Sequence, residues 1–516
     1  MNIRNTLILI GLSFSIVSCY KDLGNYDYSE KNEITITNIP DQINVLGNID
    51  TLRIEPIITS SKDGEISADD PNYSYVYAES GQMDLGEMRY VALDSTYPKD
   101  LNYFVKLEPK IYNLNFVVTD KRTGVQILKP FKLNVTSSVT EGWMILCNEG
   151  ENDRVRMDMI SVISQDRHVN AYDIASTLGL PDLNKATKLT YLYRNPILGK
   201  INIITESQGA YDLNHATLRS GPSFSMKNEF GNKNDNGLVQ NIQRTGSYYL
   251  VVDGDNNAFS QMFSVAGPIF QFPVNNTSSN RATEFKISKH FVSDKRTVSA
   301  STTMLTYDIT NKRFMAWYSA SPNRMATIAP PTNPLFDYNT GMDMVYMEAS
   351  LYGNGTAYTI LEKENKRYLY GMQFTNIAGR FNQTVYAELN IPEINNAKYF
   401  AFHSSLPYMF YASGSKLYQY DIVNKSTKLM KTFVDEDITA LKFNLLAFTG
   451  TTIPQYLKDQ QFDLIVGTKS NKAPEGSNGI LRLFEVPPLN QDLIQKREYK
   501  GFARIVDVTY KEIAIR

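Results

Sequence analysis

Oxygen-rich loops and lone imidazoles are the residues in this chain whose types could do chemistry. The run Val252-Asp253-Gly254-Asp255-Asn256-Asn257 places Asp253, Asp255 and Asn257 in alternation, like the opening of a calcium loop. Hard oxygen ligands at that spacing suit Ca2+, the one cofactor the sequence suggests. The run lacks the following glycine and the distant bidentate glutamate. A hairpin turn between Tyr248-Tyr249-Leu250-Val251-Val252 and Phe259-Ser260-Gln261-Met262-Phe263 accounts for it and is the favoured reading. Asp435-Glu436-Asp437 is a second acidic cluster, read as a solvated loop. His168, His215, His290 and His403 stand alone, without the His-Glu-x-x-His or paired spacing of a zinc site. No Gly-x-Ser-x-Gly elbow and no phosphate-cradling glycine loop occurs. No catalytic residue is assigned. Carboxylate pairs for glycoside hydrolysis are a spatial matter, so an enzyme stays open as the alternative.

The two cysteines have different fates. Cys19 ends the run Leu7-Ile8-Leu9-Ile10-Gly11-Leu12-Ser13-Phe14-Ser15-Ile16-Val17-Ser18-Cys19, with Arg4 ahead of it and the small Ser18 directly before the thiol. Charged start, short apolar core and small residue at the cut make residues 1–18 a signal peptide. Ile16-Val17-Ser18-Cys19 resembles a bacterial lipobox, which implies lipidation of Cys19 and an outer-membrane lipoprotein exposed at the cell surface. Cys147 lies in the apolar run Trp143-Met144-Ile145-Leu146-Cys147 and reads as a small buried hydrophobe. With Cys19 lipidated, no intrachain disulfide is available.

The bulk numbers describe a globular protein. Hydrophobic residues make up 42% and charged residues 21%, and the net charge is −2. Lys and Arg are scattered, which argues against a nucleic-acid partner or a polybasic membrane patch. The 33 Tyr and 25 Phe against 2 Trp favour β-structure.

Two β-rich regions must position any site. Residues 19–32 are an acidic tether. Residues 33–138 carry short alternating runs such as Thr51-Leu52-Arg53-Ile54, Tyr73-Ser74-Tyr75-Val76-Tyr77 and Leu114-Asn115-Phe116-Val117-Val118, separated by turn clusters. They predict an immunoglobulin-like β-sandwich without a disulfide. From residue 140 to 516 an apolar-Tyr-Asp-apolar pattern followed by a polar turn repeats. It is clearest at Ala210-Tyr211-Asp212-Leu213, Leu305-Thr306-Tyr307-Asp308-Ile309 and Tyr418-Gln419-Tyr420-Asp421-Ile422. Counting weaker copies, the aligned positions are 158, 212, 264, 308, 371, 421 and 485. The spacing predicts an all-β fold with a β-propeller, seven-bladed on this count. The incomplete copies at 264, 371 and 485 leave six or eight blades open. The aspartates read as scaffold. Ala503-Arg504-Ile505-Val506-Asp507-Val508-Thr509-Tyr510 and Trp143–Cys147 each lack a partner strand, so joining them in one blade would close the ring.

The lipobox, the start Cys19-Tyr20-Lys21-Asp22-Leu23-Gly24-Asn25-Tyr26-Asp27-Tyr28, the sandwich and the propeller opening at Glu141-Gly142-Trp143-Met144-Ile145-Leu146 together resemble the PKD-like family lipoproteins of Bacteroidetes. The resemblance implies an accessory surface lipoprotein of a SusC/SusD-type outer-membrane importer that captures oligopeptides or glycans or supports the importer complex. Ligand contacts are expected from aromatic and amide side chains in longer insertions, with Tyr338 and Asn339, or Phe230 and Asn232, as candidates.

Overall fold

The computed structural model describes residues 32–512 apart from 48, 80–82, 85–86, 89–90, 94–95, 97, 176, 193–199, 232–236, 264–269, 279–281, 297–301 and 447–452. Residues 1–18, read as a signal peptide, Cys19, nearly all of the expected tether and Asn232 lie outside the described residues. The chain divides into two compact units, Met1–Thr136 and Ser137–Arg516.

In the first unit, alternation of buried and exposed positions drives sheet formation: Thr51–Ile54 reads exposed, buried, exposed, buried. A five-stranded sheet runs in the order Gln42–Leu46, Val125–Thr136, Lys110–Asp120, Tyr73–Glu79, Val91–Ala92. Its first pair is parallel and the rest antiparallel. Ile34–Thr37, Ile57–Ser60 and Gly64–Glu65 form a second sheet, and Thr51–Ile54 pairs with Leu101–Phe104. One core of Leu52, Ile58, Tyr77, Phe116 and Leu133 fills the space between them. The Tyr77 and Phe116 rings lie 4.5 Å apart. Arg122 ties two turns together: its guanidinium donates to Asp63 at 2.6 and 3.1 Å and to Asp120 at 2.9 and 3.0 Å.

The second unit holds seven antiparallel sheets among the described residues, each a propeller blade. Blade 1 runs outward from Arg504–Lys511 through Gly142–Glu149 and Arg154–Val162 to His168–Ala171. The first strands of blades 2 to 7 are Ala186–Leu192, Val239–Thr245, Val292–Ser293, Asp343–Ser350, Tyr399–Phe402 and Glu436–Phe443. Each of these strands touches the next, and Arg504–Lys511 touches both the blade 2 and the blade 7 strand, so the ring closes around a central axis. Blade 1 is built from both ends of the unit, with Trp143 opposite Tyr510 and Ile145 opposite Val508. The closure expected from the two unpartnered strands therefore holds. Blades 2 and 3 have three strands each, and single bridges at Ser225 and Pro273 stand where a fourth would pair.

Between blades the core is apolar and aromatic. Trp143 and Trp317 are fully buried, as are Tyr307, Phe314, Phe400 and Tyr411. Gly142, at φ +138, opens the first strand where a Cβ would run into the Ile160 carbonyl oxygen, so the Glu-Gly-Trp start requires glycine.

The repeated Tyr-Asp pattern marks the third strand in blades 1, 2, 5, 6 and 7, but Asp308 ends the second strand of blade 4. This one-strand offset explains why the step into 308 is short and the step out of it long. The copy at 264 lies outside the described residues. Asp308 and Asp421 act as the scaffold reading expects. Asp308 Oδ1 accepts from the Thr310 and Asn311 amides, and Asp421 Oδ1 from those of Val423 and Asn424. Asp212 differs. Its carboxylate and that of Glu229 share Lys200 Nζ at 2.6 and 2.5 Å, and burial raises its pKa.

Candidate functional site

The polar turn at 253–257 is a hairpin. Tyr248–Asp253 pairs with Ala258–Met262, and Asp253 Oδ1 accepts the amides of Asp255 and Asn257 at 2.9 and 2.8 Å. Asn257 Nδ2 donates to Asp253 Oδ2, and Lys286 Nζ donates to Asn257 Oδ1 at 2.9 Å. The Asp253 and Asn257 side chains are thus engaged within the turn and with a lysine, while Asp255 contributes its backbone amide and is exposed. No group of three His, Cys, Asp or Glu gathers elsewhere among the described residues. Tyr338 is buried with its ring against Phe314 and Phe336. Asn339 is exposed and bonds to Asp337. Phe230 is half-buried between Phe259 and Phe270. Cys147 is fully buried, and burial, with Asp158 beside it, pushes its thiol pKa well up. Glu436 of the acidic cluster is held by Arg482 and Thr468 instead of water alone.

Two places gather side chains that could meet a ligand. The first is a cavity of about 480 Å3 on blade 5, bordered by the Ile422–Lys425 turn of blade 6. Tyr352, Tyr358 and Tyr386 line it together with Leu335, Val423 and Lys425. Leu335, Tyr386 and Val423 are 54%, 45% and 63% exposed, an apolar rim at the mouth. Tyr386 is braced by Tyr370, whose ring lies 5.2 Å away. The chain enters the cavity wall through Gly353, Asn354 and Gly355, all at positive φ.

The second is the axis. Most first strands carry a β-bulge, with the extra residue at Thr187, Gln240, Val345, Thr439 and Val506. Directly after four of these bulges come Lys188, Asn241, Tyr346 and Asp507. Bulges re-aim side chains, and here they bring polar groups together. Lys442 Nζ donates to Asp507 Oδ1 at 2.8 Å, joining blades 7 and 1, and the Leu189 amide donates to Asp507 Oδ2 at 3.0 Å, joining 1 and 2. Lys188 Nζ donates to Asn241 Oδ1 at 2.7 Å, joining 2 and 3. Asn241 Nδ2 donates to the Lys289 carbonyl at 2.7 Å, joining 3 and 4. Lys295 Nζ lies 3.5 Å from Glu348 Oε1, joining 4 and 5, and the Phe402 amide donates to Glu348 Oε2 at 3.0 Å, joining 5 and 6. At the remaining junction the His403 ring meets the edge of Phe443, 4.7 Å between centroids.

The ring is charged and reachable. The Lys442 and Lys295 side chains are 34% and 29% exposed, against 14% for Asp507 and 16% for Glu348. Burial brings the Lys188 pKa down to about 8, with Asp507 and Glu348 opposing the shift and Lys442 and Lys289 adding to it. His290 beside them is lowered to about 3, by burial first and then by Lys289 and Lys188. Tyr346, pushed well up by burial and by Glu348, stays a neutral phenol. Of these residues only His290 and His403 were weighed from the sequence, as isolated imidazoles. The signal that would find Lys188, Asn241, Tyr346 and Asp507 is a polar residue directly after a bulge in the first strands of four blades, whereas the repeat is conspicuous on the third strand.

A family model settles what the first part of the chain resembles. Residues 19–180 match the PKD-like family. The PKD-like match covers the sandwich and runs on into blade 1. No curated protein matches the chain significantly. Among solved structures, the chain is similar to a quinonprotein alcohol dehydrogenase-like protein from Bacteroides thetaiotaomicron, at 10% identity and TM-score 0.45, covering 94% of this chain and 100% of that one. It is also similar to the Cps50 (Swd1) β-propeller domain of Myceliophteria thermophila, at 6% identity and TM-score 0.40, covering 66% of this chain and 96% of that one. The propeller assignment itself rests on the strand pairing.

Proposed function

We propose that this protein is a lipid-anchored binding protein of the bacterial cell surface, accessory to a SusC/SusD-type importer, that captures oligopeptides or glycans. The tyrosine-lined cavity carries the reading. Its size falls in the range of small-ligand sites, its walls are aromatic and apolar, and its few polar groups give orientation. Tyrosine offers a large rigid face and a hydroxyl at low entropic cost, which suits sugar rings and peptide side chains alike. The lipobox ending at Cys19 supports anchorage, and no helix among the described residues is long and apolar enough to cross a membrane.

Titrating the purified chain with defined oligosaccharides and oligopeptides tests capture. Saturable binding that weakens about tenfold in Tyr386→Ala is expected. Repeated release of product from the same ligands would replace capture with catalysis. Anchorage is tested by cell fractionation: Cys19→Ala should move the protein from the membrane to the soluble fraction. Co-purification with a SusC/SusD-type pair, with no ligand affinity in the isolated chain, would instead favour a subunit that serves only the importer.

A further inference from the structure

The polar ring at the propeller axis is not balanced. Among the described residues, Lys188, Lys289, Lys295 and Lys442 gather against two carboxylates, Glu348 and Asp507. Each carboxylate is already engaged. Asp507 holds Lys442 and the Leu189 and Val508 amides, and Glu348 holds Lys295, the Phe402 amide and the Tyr346 hydroxyl. Among the described residues, the Lys188 ammonium has one hydrogen bond, to the neutral Asn241 amide. That amide's orientation is fixed, because its nitrogen is committed to the Lys289 carbonyl. Lys289 is exposed and forms no ion pair among the described residues.

An ammonium taken out of bulk water costs stability unless an anion meets it. Any apolar residue at position 188 would avoid that cost, and the ring closes without charge at the His403–Phe443 junction. We propose that the axial ring binds the carboxylate group of a small ligand, taken between the ammonium groups of Lys188 and Lys289. The excess of positive charge sets the sign of the ligand. The donors set its class: the ring's bonds contain no guanidinium fork and no run of free backbone amides, the two cradles that phosphate favours. A carboxylate needs only two or three point donors. The ligand is a sugar acid or a peptide carboxylate, and the site uses residues separate from the tyrosine-lined cavity.

Isothermal titration of the full chain at pH 7 tests this with glucuronate and its neutral twin glucose, N-acetylalanine and its neutral twin N-acetylalaninamide, and inorganic phosphate. Saturable binding of glucuronate or of N-acetylalanine, at least about tenfold tighter than its neutral twin, is expected. Whichever acid binds names the source of the carboxylate. Lys188→Met and Lys289→Gln should each weaken binding roughly tenfold, and Lys188→Arg should retain it. Lys289 is exposed, so Lys289→Gln keeps the test decisive if Lys188→Met folds poorly. Equal binding of the neutral twins, binding of neither acid, tightest binding of phosphate, or unchanged affinity in Lys289→Gln would overturn the proposal.

Discussion

Lys188 shows how much one residue can be asked to do. Its pKa of about 8 lies below the 10.5 of a free lysine because burial penalises the charged form. Between those two values the unfolded chain binds a proton that the folded chain has released. Folding stability should therefore rise with pH from about 8 to 10.5, opposite to the trend set by a salt-bridged lysine. Carboxylate affinity should move the other way, falling as pH passes about 8, because the ligand needs the ammonium. Around Lys188, Asp507 and Glu348 hold the proton on, Lys442 and Lys289 push it off, and His290 stays neutral throughout. Melting temperatures of Lys188→Met and the native chain at pH 7 and pH 9.5 give the check. The variant should match or exceed the native protein at pH 7 and lose its advantage at the higher pH.

At the scale of elements, turns and strands tell different stories about legibility. The Tyr-Asp turns were readable because Asp308 and Asp421 satisfy amides within three residues of themselves, a local chemistry that leaves a local trace. Removing one loses the hydrogen bonds a buried carboxylate makes to its turn and, for Asp308, to Arg313, so Asp308→Ala should lower unfolding free energy by about 2 kcal/mol in a denaturant titration. The axial ring was not readable, because Lys188, Asn241, Glu348 and Asp507 sit on four blades and meet only through closure. Tyr338 illustrates the opposite error of sequence reasoning. A Tyr-Asn pair in a long insertion resembles a binding loop, yet the loop folds back and places Tyr338 against Phe314 while Asn339 stays outside. In the first unit, the Arg122 clamp holds the Asp63 carboxyl down to about 2, from 3.8. Its contribution is present above pH 3.8 and is lost as pH falls through about 2. Arg122→Met should shift the acid unfolding midpoint upward, measurable by circular dichroism.

For the whole molecule, the two-part organisation was legible and the closure of the second part could be anticipated from its two unpartnered ends. The first follows from the change of pattern after residue 138, the second from sheets leaving no bare edge. The blade count was legible too, although the alignment slipped by one strand at Asp308. Closure concentrates stability at one seam. Trp143 and Tyr510 meet edge to face at 5.0 Å there, and both are buried. Tyr510→Ala should cost about 3 kcal/mol and lower the melting temperature of the Ser137–Arg516 unit while leaving the first unit's transition in place, as calorimetry would show.

That seam also sets an order in time. Tyr510 bonds Glu141 across 369 positions of chain. Blade 1 must wait, half-built, while the six blades after it are synthesised, so its Gly142–Glu149 strand presents an open edge for nearly the whole of production. Contacts this distant make folding slow. A chain stopped at Ala503 would carry six whole blades but lack the innermost strand of blade 1, and would be a substrate for proteases instead of a slightly weakened protein.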